Sequence, residues 1–370
     1  MAYLPLLSLG ALDAAGYSVI APVVPAIARA TGAGPGVMGA LVATFGVGMV
    51  LSFVPAGREI QRRGASFVLA VSVGLLALGS VGLVFVESLP VYFVARLLMG
   101  IGSGGLWLGC TFGILERFPD EAYRRLTGLL AVYSVGGLFG PALGAIGGIR
   151  GPFLAYLGLV GAAAAVAFLM GAPQDRPAFG SDRAVLRAPG FLLASTAVLM
   201  SALALGTLDG PLPLHFAERL SQSEIGALYV ATSFVVGMSA VAAGRFRPRP
   251  MLMAGTVLVV AGIALAGTGV SVPLWIVALG VFAVGFGLTN AGALGALLET
   301  IGTERIVLAM VVWSQIWGIG YLLGPAASGG VAEGLGFEAI GLVPLVPGLA
   351  IGLFFLWTPR QRERPERLPG

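Results

Sequence analysis

Residues 67–86 read FVLAVSVGLLALGSVGLVFV, twenty in a row without a charge. A bilayer core about 30 Å thick takes about 20 such residues as one helix. Similar runs, rich in Leu, Ala, Val and Gly, fill most of the 370-residue chain. The chain is 57% apolar and 10% charged, whereas a soluble domain carries about 25% charged residues. A chain this apolar cannot shield its surface from water, so its solvent is lipid. In lipid only helices and closed barrels satisfy their backbone groups. The runs are continuous and lack a period of two, so they are not barrel strands. The fold class is all-α integral membrane.

Working outward from that stretch, apolar spans fall at 4–27, 36–55, 67–86, 91–115, 127–148 and 153–170, then at 191–217, 223–243, 251–270, 274–298, 306–328 and 339–357. Twelve transmembrane helices are therefore expected, as two six-helix bundles over 1–170 and 191–358. A polar linker at 171–190 joins them, and a charged tail, 359–370, closes the chain. All 21 basic residues are Arg, and an inside N-terminus puts 17 of them in cytoplasmic segments. The positive-inside rule then makes both termini cytoplasmic, in an inner or plasma membrane. The pI near 9.6 follows from orientation and anionic lipid headgroups and calls for no nucleic acid partner. The N-terminus lacks a basic n-region and does not resemble a cleaved signal peptide.

Chemistry-bearing residues are scarce. One Cys (Cys110), one His (His215) and one Asn (Asn290) provide neither a disulfide framework nor a metal cluster. No nucleophile–base pair marks an enzyme, and no cofactor is implied. What stands out is repetition. Gly39-Ala-Leu recurs as Gly226-Ala-Leu and Ala56-Gly-Arg as Ala243-Gly-Arg, both 187 residues on. Leu115-Glu116 recurs as Leu298-Glu299 and Gly140-Pro141 as Gly324-Pro325, at offsets of 183 and 184. Two duplicated bundles point to a carrier that rocks one half against the other around a midplane site.

Polar residues inside the spans mark candidates for that site. Asp13, in LDAAGYSVIAPVVP (12–25), lies about 13 Å from the cytoplasmic end of the first span. An ionised Asp at that depth costs about 2.5–3.5 kcal/mol, so a wet cavity or a cation beside it is expected. Charge is disfavoured there, which suits Asp13 to take up and release a proton. The structural alternative is an Asp that only hydrogen-bonds across a helix interface. Tyr17 shares its face one turn on. Arg96, Gly100, Ser103 and Trp107 share a face of the fourth span, with Arg96 about 8 Å from its outer end. An outer-interface Arg is the alternative there. Gly136, Gly140, Gly144 and Gly148 make a ridge without side chains, and Pro141 removes one backbone bond. Asp209 precedes Pro211 and Pro213 in the outer half of the seventh span. Its GTLD echoes GALD at 10–13, but the offset of 196 marks an accident. Tyr133, Asn290, Gln315 and Trp317, with Trp313, are further cavity candidates, each aromatic having core packing as its ordinary reading. Trp275 and Trp357, at span ends, read as interfacial anchors.

Across its whole length the chain resembles the major facilitator superfamily, and its first half is most similar to the drug/proton antiporters, including the tetracycline/proton group. The first-span pattern around Asp13, the fourth-span Arg96-x3-Gly100 and the fifth-span glycine–proline motif (Gly136, Gly140, Pro141, Gly144) carry the resemblance. Gly57-Arg58-Glu-Ile-Gln61-Arg62-Arg63-Gly64 resembles the family's cytoplasmic Gly-x-x-x-Asp-Arg-x-Gly-Arg-Arg motif, with Gln61 in place of the acid and Ala65-Ser66 in place of the last basic pair. The resemblance implies proton coupling at Asp13 and Arg96; Asp209, from its place within a span, is expected as a weaker second acid. It also implies a cytoplasmic gate of Gly57, Arg58, Gln61, Arg62, Gly64, Glu116 and Arg124, mirrored by Glu299 and Arg305. Gly324 and Pro325 repeat the packing motif. The implied function is proton-coupled efflux of a small organic, lipophilic or cationic compound by alternating access, by a monomer whose partners are substrate, protons and lipid. A symporter or uniporter for a neutral or anionic solute is the alternative within transport. A non-transporting receptor or assembly factor is the alternative outside it.

Overall fold

A computed structural model describes residues 3–169, 188–243, 248–300 and 306–357. It is all α-helical. The first half comprises α1 (Tyr3–Ser18), α2 (Val24–Thr31), α3 (Pro35–Arg63), α4 (Ala65–Phe85), α5 (Leu89–Arg117), α6 (Ala122–Gly144) and α7 (Arg150–Leu169). The second comprises α8 (Pro189–Asp209), α9 (Leu212–Phe216), α10 (Gln222–Ala243), α11 (Pro248–Thr268), α12 (Val272–Thr300), α13 (Ile306–Leu335) and α14 (Leu342–Trp357). Two pairs are single spans interrupted by proline: α1 with α2, and α8 with α9. Fourteen helices thus make twelve spans. Met170, residues 171–187 of the expected linker, the tail from 358, and Arg305 lie outside the described residues.

Several helices outrun their apolar cores. The third begins where the apolar run does, but continues through Gly57–Arg63, which sequence reading assigns to a loop. Arg, Glu and Gln are good helix formers, so the helix has no reason to stop at the hydrocarbon edge. Glu59 braces the extension, 3.7 Å from Arg62 and 3.0 Å from Arg63. Gly64, at φ +91°, turns the chain from α3 into α4, a backbone angle that favours glycine. Likewise α13 runs to Leu335 rather than 328.

Small residues set the packing inside each half. The glycine ridge of α6 lies on α1 so closely that a Cβ at Gly136 would stand 2.5 Å from Ala11 O, and one at Gly140 2.6 Å from Ala15 O. On the corresponding pair in the second half, Gly320 of α13 meets Leu199 O at 2.6 Å and Gly324 meets Leu203. The duplicated glycines therefore serve the same helix-on-helix contact twice.

The halves meet along α3 with α13 and α6 with α10. One face of the molecule carries the arginine-rich ends of α3 and α5 and the start of α6; the opposite, far face is closed. There Gly36 N–H donates to Glu333 Oε2 at 2.9 Å, and Gln222 Nε2 donates to Gly144 O and Gly148 O, both at 2.8 Å. Short α2 and α9 also pack together on this face, one from each half.

Candidate functional site

The interruptions and the glycine ridge bring two acids toward the boundary between the halves. Asp13, on α1, is 1% exposed. Its Oδ2 accepts a hydrogen bond from the Tyr133 hydroxyl of α6 at 3.1 Å. Ser103 of α5 is a further neighbour, though neither its Oγ nor Asp13 Oδ1 finds a hydrogen-bonding partner among the described residues. In this conformation a tyrosine hydroxyl takes the place expected for water or a cation.

Asp209, at the end of α8, is 2% exposed, and its Oδ2 accepts from the Tyr321 hydroxyl of α13 at 2.9 Å. The helix breaks directly after it, at Gly210 and Pro211. Between the acids runs a chain of rings. Trp107 meets Tyr133 edge-on at 5.2 Å, Tyr133 stacks on Tyr17 at 6.1 Å, and Tyr17 meets Tyr321 edge-on at 5.7 Å. Phe45 of α3 adds a further edge to Tyr321 at 6.1 Å. Trp107 also donates its indole N–H to Ser314 of α13 at 2.8 Å, crossing between the halves.

Arg96 is fully buried, with its guanidinium carbon 4.4 Å from the centre of the Phe45 ring. Its three guanidinium nitrogens have no hydrogen-bonding partner among the described residues. Leaving such a charge unpaired in a dry interior is costly, and the ring face offsets part of that. The structure brings Arg96 within electrostatic reach of Tyr321 and Asp209, in the other half. Tyr156 interacts with both Arg96 and Asp13, and donates to Leu12 O at 3.3 Å.

The remaining candidates disperse. Asn290 donates to Phe286 O on its own helix at 2.9 Å, and Trp317 packs edge-on to Phe286 at 6.2 Å. Gln315 is half-buried on α13. Toward the arginine-rich face, Gly57 is half-buried, Arg58, Gln61 and Arg62 are exposed, and Gly64 is buried. Glu116 lies 3.9 Å from Arg117, whose Nη2 donates to Ser66 at 3.0 Å. Arg124, expected beside Glu116, instead pairs with Glu121, as does Arg125, the latter at 3.0 Å. The Glu299 side chain is not among those described. Trp275, read as an interfacial anchor, is fully buried and donates to Gly269 O at 2.8 Å, because α9 covers it.

Sequence reasoning missed Tyr321, Phe45, Tyr156 and Glu121. Tyr321 had a signal: it lies one turn before the duplicated Gly324-Pro325. The other three reveal their partners only across helices.

The family's sequence profile matches residues 6–245 and, a second time, residues 194–370. The chain belongs to the major facilitator superfamily. It is thus a multi-pass membrane protein and a secondary transporter, from a transporter family and not an enzyme family, and it takes a small-molecule substrate. Among relatives, the mouse "MFS-type transporter SLC18B1" is 23% identical over 96% of this chain and 86% of its own length. The mouse "Synaptic vesicular amine transporter" is 22% identical over 78% of the chain and 60% of its own. An uncharacterised Bacillus subtilis transporter, YfiU, is 26% identical over 47% of the chain and 34% of its own. The fold matches the xylose transporter XylE from E. coli, in a partially occluded inward-open conformation, at TM-score 0.75. That match covers 96% of this chain and 97% of the other at 14% identity. The nucleoside transporter NupG matches at TM-score 0.72, covering 96% and 100%, at 15% identity.

Proposed function

We propose that this transporter exchanges protons for a small organic cation or lipophilic base, in the efflux direction, by alternating access. Its setting would be an inner or plasma membrane, with the arginine-rich face cytoplasmic and the functional unit a monomer. One observation carries the reading: Asp13 sits in mid-span, cut off from solvent, with one carboxylate oxygen on Tyr133 and the other beside Ser103 but without a hydrogen-bonding partner among the described residues. A carboxylate in hydrocarbon must be neutralised. A proton does this, and so does a cation among the rings of Tyr17, Tyr133 and Trp107, whose faces favour positive charge. The two compete for one charge, so the binding of either supports the return step. The distant likeness to a relative named as an amine transporter agrees with this substrate class.

Asp209 is the second acid, with Arg96 as its counter-charge. The test is reconstitution into vesicles holding a pH-sensitive dye, with a panel of organic cations. In wild type, substrate applied across a pH gradient moves protons the opposite way; Asp13→Asn abolishes that movement. Equal proton movement in both proteins would remove Asp13 as the coupling site. Co-directional movement would make the carrier a symporter.

A further inference from the structure

The second unusual polar cluster lies on the far face, away from the two acids. His215 is the chain's only histidine. It sits in α9, just beyond the break that follows Asp209, and is 8% exposed. Its Nδ1 lies 3.1 Å from Glu218 Oε1 and its Nε2 lies 2.9 Å from Gly269 O. A carboxylate and a carbonyl oxygen are both acceptors only. A neutral imidazole carries one N–H and satisfies one of them; an imidazolium carries two and satisfies both. A ring face beside it agrees with a cation. Phe337 stacks its face on the imidazole at 4.8 Å, and Trp275 lies edge-to-face with it at 5.2 Å, its own N–H sharing Gly269 O.

This ring ties two loops to α9. Through Gly269 it holds the turn between α11 and α12, and through Phe337 it holds the short helical turn after α13. Both anchor α9, which packs on α2 of the other half. The charged groups around the cluster are Glu218 and exposed Arg219 at the end of α9, Glu338 beside Phe337, and Arg29, the one charged residue of α2. From α11 and α12 the ring meets the carbonyl and the indole. Glu218 is 58% exposed, which gives the far-side solution a proton route to Nδ1.

We propose that His215 is a proton-operated clamp on the far face: doubly protonated, it holds α9 down and the far face closed, and loss of one N–H lets α9 swing and that face open. Histidine is the side chain that ordinarily changes charge between about pH 5 and pH 8. Protons on the far side thereby close the carrier toward that side. The inference rests on the alternating-access part of the function proposed above, and not on proton exchange at Asp13.

The test uses a distance already present. An ideal Cβ at Gly36 would stand 3.9 Å from Glu333 Cβ, within the roughly 3.5–4.5 Å of a disulfide. Gly36→Cys with Glu333→Cys, in a Cys110→Ala background, therefore cross-links only when the far face is closed. Cross-linking is measured with His215 and with His215→Gln, so that thiol ionisation cancels in their ratio. The ratio should fall several-fold from about pH 5 to about pH 8; a flat ratio overturns the clamp. Should His215→Gln fail to fold, Glu218→Gln leaves an amide acceptor at Nδ1 but removes the carboxylate charge that favours the imidazolium, and should move the closing midpoint to lower pH. An unmoved midpoint overturns the clamp equally. Asp13→Asn should preserve the His215-dependent ratio. Its loss in that variant would reassign the pH dependence to Asp13 and end the proposal.

Discussion

The α1–α6 pair of the first half and the α8–α13 pair of the second share a scaffold and differ in chemistry. Gly140 faces Ala15 and Gly324 faces Leu203; Gly136 faces Ala11 and Gly320 faces Leu199. These contacts set the register, 188 residues between α1 and α8 and 184 between α6 and α13. By that register the second-half counterparts of Asp13 and Tyr133 are Ser201 and Trp317. The first-half counterparts of Asp209 and Tyr321 are Ala21 and Gly137. The GALD and GTLD echo, at 196, is out of step with the packing by eight residues. Each half has one acid capped by one tyrosine, but in the second half the acid stands two turns, about 12 Å, and its tyrosine one turn, about 6 Å, nearer the far face. Duplication kept the close contacts and freed the polar positions. A carrier with acids at two depths can meet a proton or cation near the far face and again at mid-span.

The strongest way to break that comparison is to neutralise each acid in turn. Asp13→Asn should reduce substrate-driven proton movement to background. Asp209→Asn should leave movement measurable while weakening closure of the far face, read from the Gly36–Glu333 cross-link. Matching loss of coupling in both would make the two acids equivalent and the difference in depth irrelevant.

Next comes the shared scaffold. Gly140→Val forces a side chain against Ala15 and Ser18 of α1, and Gly324→Val forces one against Leu203 of α8. Overpacking of this kind costs about 1–3 kcal/mol, so both variants should melt several degrees lower in detergent. If only one does, the two ridges have ceased to be the same contact.

The caps are smaller. Tyr133→Phe and Tyr321→Phe each remove one hydroxyl from a buried carboxyl, worth about 1–2 kcal/mol. The first should lower proton coupling and leave the far-face cross-link unchanged. The second should do the reverse.

Much of this was legible from letters alone, and the reason is locality. Spans, their prolines and the glycine ridge are patterns within one helix, so composition and spacing reveal them. The overrun of α3 was missed because Arg58–Arg63 look like a loop to a hydropathy reading, although their helix propensity is high. Asp13, Tyr17 and Tyr133 were all candidates, but which hydroxyl meets which carboxyl depends on how α6 sits on α1. Arg96 is a similar case: its spacing placed it on a face with Ser103 and Trp107, while Tyr321 and Asp209, within its electrostatic reach, come from the other half of the chain. Trp275 at a span end looks lipid-facing until α9 is folded over it.

The smallest effect belongs to the arginine-rich face, where the sequence pattern assigned Arg124 to Glu116 and the structure gives it to Glu121. Hydrogen bonds from Arg124, then Arg125, hold the Glu121 carboxyl below its ordinary range. A carboxylate lowered in the folded state adds stability above its unfolded value, and that stability is lost as pH falls through the lowered one. The group is exposed in a short connection between α5 and α6, so solvent screens the pair heavily. Glu121→Gln should therefore lower the melting temperature slightly at neutral pH, and the gap to wild type should close in acid. Transport and the far-face cross-link should not change. A Glu121→Gln variant that loses transport at neutral pH would instead make Glu121, and not Glu116, the acid that holds the arginine-rich side shut.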